Sequence, residues 1–129
     1  MYLLDTDIVI WILRAQPSLV RFLKFLAIEE SIGISTMTIG EVYQHILPAE
    51  ILTTEDFFDR HTVFPVTREI AKQGGLYWQQ YHLKLAKLTI SDCLVAATAK
   101  SQNATLYTLN LRHFPMTDIN IGRPPTVKV

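Results

Sequence analysis

The chain has 129 residues, 49% of them hydrophobic, enough for one packed core and too few for two. Lys plus Arg equals Asp plus Glu, so the formal net charge is zero and no overall field draws in a polyanion or a membrane surface. One cysteine, Cys93, excludes an internal disulfide; no apolar run approaches the ~20 residues of a bilayer span, and the first residues lack the pattern of a signal peptide.

These features lead us to expect one cytoplasmic domain over residues 1–129, with a loosening tail from about residue 122 where Pro124 and Pro125 stand. No repeat or low-complexity tract divides the chain. Tyr2-Leu3-Leu4 is a short apolar run ending in Asp5-Thr6-Asp7, the pattern of a buried strand that turns toward a helix. After Pro17, the spacing of Leu19, Phe22, Leu23, Leu26 and Ala27 predicts an amphipathic helix to about Glu30, with Ser18 as its cap.

Residues 31–35 alternate like a strand, and Ile39, Val42, Tyr43 and Ile46 return to helical spacing until Pro48. Glu41 lies off that apolar stripe, on the face of Thr38 and His45. Thr53 with Asp56 resembles a capping box, and the proline in 62–66 demotes that strand toward an edge. A helix follows from about Arg68 to Tyr81, weakened at Gly74-Gly75. Another opens at Ser91-Asp92 and runs through Ala99, apolar on nearly every side and therefore interior. Residues 104–108 and 119–121 read as two further strands. Strands alternating with helices predict an α/β domain: a mostly parallel sheet of four to five strands with helices on both faces.

In such sheets functional groups gather beyond the carboxyl ends of the strands, where Asp5 falls, and the helix beginnings that carry Glu41 and Asp92 should face the same edge. Carboxylates brought together repel, by ~4 kcal/mol for a pair 4 Å apart at an effective dielectric near 20. Protonation of one acid relieves this, and so does a hard divalent cation; an all-oxygen set selects magnesium or manganese over zinc. Bound to such a site, a water can be aimed at a phosphodiester. Taken singly, each acid has a plainer reading: Asp5 as a turn residue, Glu41 as a solvated charge, Asp92 as a helix-start residue.

Four segments in order, Leu3-Leu4-Asp5-Thr6-Asp7, Thr38-Ile39-Gly40-Glu41, Ser91-Asp92 through Ala99, and Thr108-Leu109-Asn110 before His113-Phe114, together resemble the PIN-domain pattern of VapC-type toxins. The resemblance covers residues 3 to about 125. It implies a Mg²⁺-dependent ribonuclease, with Mn²⁺ able to substitute, in which Asp5 and Asp92 are the principal metal ligands. Glu41 would bind metal or position water, and Thr6 would hydrogen-bond within the cluster, with Thr38 and Asn110 in support. It also implies an antitoxin whose tail covers the acidic groove, and a homodimer. PIN domains usually add a fourth acid in the segment matched by 108–114, where this sequence has only Asn110 and His113. Asn110 can orient a water or ligand and His113 can reach a phosphate, although both have ordinary structural uses.

His45, His61 and His82 show no zinc-binding spacing, and Cys93 reads as a small buried hydrophobe. Arg14, Lys84, Lys87 and Arg112 are the cations expected near the acidic edge for RNA, and Tyr77, Trp78 and Tyr81 could stack on bases or serve as core. Two other functions compete. Asp5-Thr6-Asp7 also suits a haloacid-dehalogenase-like phosphatase with Asp5 as nucleophile and Asp7 as acid/base, though Glu41 would then lack a role. The other is a PIN fold that has lost activity and binds a partner or RNA.

Overall fold

Strand β1 (Tyr2–Leu4) lies at the centre of a five-stranded sheet in a computed structural model that describes residues 1–125. The order is β3-β2-β1-β4-β5, every pairing parallel, with β2 at Ile32–Ser35, β3 at Thr62–Phe64, β4 at Thr105–Tyr107 and β5 at Asn120–Gly122. A central parallel strand is covered on both faces, so it carries continuous apolar side chains. Leu3 and Leu4 are both fully buried and enter different cores, Leu3 with Leu106 and Val95, Leu4 with Ile8, Ile34 and Val42.

Side chains of α1 (Thr6–Leu13), α2 (Pro17–Glu29), α3 (Thr36–His45) and α4 (Ile51–Asp59) fill one of these cores. Those of α5 (Arg68–Tyr81) and α6 (Ile90–Gln102) fill most of the other. The expected sheet with helices on both faces is thus observed, and β3 is the edge strand that its proline foretold. Among the described residues no helix is long and apolar enough to cross a membrane.

Three helix starts differ from expectation. The cap of α2 is Gln16, not Ser18: its Oε1 accepts from the backbone N–H of Ser18 (2.8 Å) and Leu19 (3.1 Å), while Pro17 takes the first helical position, where an N–H is not needed. Thr53 lies inside α4, because Pro48–Glu50 forms a 3₁₀ turn that runs directly into the helix. There Glu50 accepts from the Leu47 N–H at 2.9 Å, and the Thr54 hydroxyl donates to the Glu50 carbonyl at 2.8 Å. Helix α6 starts at Ile90, with Thr89 and Asp92 forming a reciprocal capping box at 3.1 and 3.3 Å. At the other end the chain stays packed beyond residue 122, since Pro124 is buried; a tail at 126–129 lies outside the described residues.

The Gly74-Gly75 pair does not interrupt α5, and its two members differ in kind. A Cβ on Gly74 would stand 2.7 Å from Leu94 Cδ2 and 3.3 Å from its Cγ, so this glycine lets α5 lie close against α6, whereas a Cβ on Gly75 would meet nothing within 4 Å. Gly75→Ala should therefore raise stability by about 0.5–1 kcal/mol through helix propensity alone. Gly74→Val should lower it by about 1–3 kcal/mol through overpacking. Urea unfolding of the two variants measures both; a Gly74→Val protein as stable as wild type would show that the α5–α6 contact is loose.

Candidate active site

Asp5 follows β1 and caps α1. Its Oδ1 accepts from the Thr6 N–H at 2.8 Å, and its Oδ2 accepts from the Thr108 hydroxyl, just beyond β4, at 2.8 Å. The residue is 6% exposed. Burial pushes its carboxyl up to about 7 against the pull of those two hydrogen bonds, and the charges of Asp7 and Asp92 push the same way.

Glu41 projects from α3 and is held by two hydroxyls: Thr6 Oγ1 donates to Oε1 at 2.7 Å and Ser91 Oγ donates to Oε2 at 3.2 Å. Thr38, fully buried, stands 3.5 Å from the Thr6 hydroxyl, whose proton is already committed to Glu41. Asp92 sits in the first turn of α6, where the helix dipole favours a carboxylate, and its Oδ2 is 3.6 Å from His113 Nδ1. Asp7 accepts a hydrogen bond from the Asn110 amide.

Asp5, Asp7, Glu41 and Asp92 line one cavity of about 270 Å³ together with Thr6, Ser91, Asn110 and His113, and among the described residues no lysine or arginine belongs to its wall. The three acids singled out in the sequence thus face a common space, but their relations differ from a mutually repelling triad. Burial leads the Asp5 shift, and the neighbouring charges that raise it are those of Asp7 and Asp92, while Glu41 is tied to hydroxyls instead. Among the described residues no three His, Cys, Asp or Glu side chains stand close enough together to hold one metal ion directly. The donor chemistry fits magnesium nonetheless, since that ion keeps several waters and engages one or two carboxylates plus a substrate phosphate.

Sequence reasoning missed Asp7 as a member of this set, Thr108 as the partner of Asp5, and Ser91 as the partner of Glu41. The Asp-x-Asp spacing held the signal for Asp7, because it places a second carboxylate in the first turn of the helix that Asp5 caps, where the Asn110 amide reaches it. Of the cations expected near the acids, Arg112 lines an adjoining cavity, while Arg14, Lys84 and Lys87 are exposed and line neither. Tyr77 is buried and donates its hydroxyl to Asp118 at 2.8 Å, which removes it from base stacking; Trp78 stacks on His82 at 3.8 Å.

The PIN domain family model matches residues 2–118. This chain belongs to the PIN-domain family, in its VapC-type branch. Ribonuclease VapC19 of Mycobacterium tuberculosis is 34% identical over 117 residues, covering 90% of this chain and 94% of that protein. Ribonuclease VapC2 of Haemophilus influenzae is 28% identical, covering 88% and 89%. VapBC2 from Rickettsia felis, solved bound to a promoter DNA fragment, superposes with a TM-score of 0.80 at 22% identity, over 96% of this chain and 98% of that one. Membership of the PIN family sets aside the phosphatase, and with it the acid/base role for Asp7.

The raised Asp5 carboxyl gives this PIN domain a defined pH response. Between its ordinary value of 3.8 and about 7, the native state holds a proton that the unfolded chain has released. Metal-free stability should therefore fall as pH rises through that window, at up to about 1.4 kcal/mol per pH unit, and level off above it. Asn in place of Asp5 keeps the acceptor for the Thr6 N–H and carries no charge. Asp5→Asn should flatten the profile and melt higher than wild type at pH 8 in EDTA. Parallel profiles for the two proteins would show that Asp5 carries no burial penalty.

Proposed function

We propose that the protein is a metal-dependent endoribonuclease, the toxin of a VapBC-type toxin–antitoxin pair, acting in the cytoplasm. What carries the reading is one cavity, beyond the carboxyl ends of β1 and its neighbour β4, walled by four carboxylates and, among the described residues, by no lysine or arginine. The relatives named ribonucleases support the reaction class, and the VapBC structures support an antitoxin partner.

Asp5 and Asp92 would hold Mg²⁺ or Mn²⁺, with Glu41 binding metal or positioning water. The ion, when bound, supplies Lewis acidity toward a phosphodiester oxygen and a more acidic water. The chain's own residues do the remaining work. Thr108 and the Thr6 N–H fix both oxygens of Asp5, so that its carboxylate is presented in one orientation. Thr6 and Ser91 fix Glu41 in the same way, leaving its remaining lone pairs for a water or an ion. Asn110 orients Asp7. Positioned acceptors of this kind lower the reorganisation that hydrolysis would otherwise require. A homodimer, implied by the family, would find apolar area at Leu76, Trp78 and Leu83, which remain exposed on α5 and just beyond it.

Purified protein should cleave single-stranded or loop RNA with Mg²⁺ or Mn²⁺ and stop on addition of EDTA. Asp92→Asn should lose at least about 100-fold in rate, as expected when a group that stabilises the transition state is removed. The fold should survive, because Asn at this position still accepts from the Thr89 N–H. Expression of wild type alone should slow growth, and expression of Asp5→Asn should not. Cleavage that continues in EDTA, or a fully active Asp92→Asn protein, would overturn the metal site. RNA binding without cleavage would leave the domain as a binding module.

A further inference from the structure

A second cavity, of about 540 Å³, adjoins the acidic one and has the opposite electrostatic character. Arg112, His113 and Arg123 line it, together with Leu109 and the Pro124-Pro125 pair, and among the described residues no Asp or Glu contributes to its wall. Thr108, Asn110 and His113 tie the two spaces together: Asn110 and His113 line both cavities, and Thr108, part of the basic wall, donates its hydroxyl to Asp5 in the acidic one. Among the described residues neither guanidinium stands within 4 Å of a carboxylate. Arg112 belongs to the 3₁₀ turn Leu111–His113, and Arg123 follows β5, so the two ends of the connection from that turn through β5 bring both charges to one groove.

We propose that this groove binds the phosphates of the RNA strand next to the bond being cut. The proposal rests on the ribonuclease reading above. A strand whose scissile phosphodiester lies among carboxylates must lead its neighbouring phosphates out of that cavity. The Thr108–His113 wall opens onto the space where two arginines can take them, each guanidinium pairing two phosphate oxygens in its planar fork. The leucine and proline side chains offer apolar surface to sugars and bases, which suits a single strand of any sequence. An acidic protein segment is the other anion that two arginines could hold. The shared wall with the catalytic cavity favours the RNA strand, because one continuous ligand must occupy both spaces.

The test is fluorescence anisotropy with a short single-stranded RNA, in EDTA to prevent turnover, across a series of salt concentrations. Arg112→Gln/Arg123→Gln should bind about tenfold or more weakly, and its plot of log Kobs against log salt should be shallower by about 1.4, the contribution of two phosphate contacts on a single strand. Arg112→Lys/Arg123→Lys should keep the wild-type slope. Arg21→Gln/Lys24→Gln, exposed on α2 and lining neither cavity, should bind as wild type does. Melting temperatures confirm that each variant is folded. Wild-type affinity and slope in the double arginine variant would overturn the proposal, as would an equal loss in the α2 variant. It would equally fall if an oligoglutamate peptide needed the two arginines and RNA did not, since the groove would then serve a protein partner. Wild type that binds RNA through the arginines but does not cleave it with Mg²⁺ would instead remove the ribonuclease reading and leave the groove in place.

Discussion

A carboxylate taken out of water is costly, and the centre of this fold is organised around one. Asp5 follows the middle strand, caps the first helix and is reached by the hydroxyl of Thr108 from just beyond the neighbouring strand. Its two hydrogen bonds oppose desolvation without cancelling it, so its ionised form is poised for a further positive partner. Everything else in the cavity stands in relation to that group. Thr6, adjacent in the chain, passes the arrangement on to Glu41; Asp92 enters from the start of α6; Asn110 steadies Asp7.

The sheet order explains why these groups meet. The chain builds outward from β1 through β2 to β3, then returns to the other side of β1 for β4 and β5. Loops leaving the carboxyl ends of β1 and β4 therefore diverge to opposite faces, and a crevice opens where they part. Asp5 and Thr108 lie at that parting. The helices on either face bring Glu41 and Asp92 to its two walls.

Much of this was legible because the strongest signals were local. Tyr2-Leu3-Leu4 reads as a buried strand, α5 has the bounds its periodicity implies, and Asp5 and Asp92 stand at helix starts as expected, whereas Glu41 lies midway along α3 rather than near its beginning. What stayed hidden depends on pairing at a distance. Thr108 is an ordinary strand-end threonine until β4 pairs with β1 and brings it to Asp5. Helix α1 has no readable period, since Ile8 to Leu13 is apolar at every position. The caps of α2 and α4 were misread because Gln16 reaches forward to its own helix and because Pro48 starts a turn that α4 continues. Arg123, in what resembled a loosening tail, acquires a place only once β5 docks beside β4.

The sheet order has a further consequence for how the protein comes into being. The acidic wall draws on residues from 5 to 41 and from 89 to 113, with β3 and α5 encoded between them. A chain emerging from the ribosome can pack β1, β2 and the first four helices while still lacking Asp92 and the strand that carries Thr108. Competence thus arrives late and all at once, when the returning half of the polypeptide docks against the first. A chain severed between α5 and α6 would leave two inert fragments, and any activity recovered on mixing them would report the docking of one half of the fold on the other.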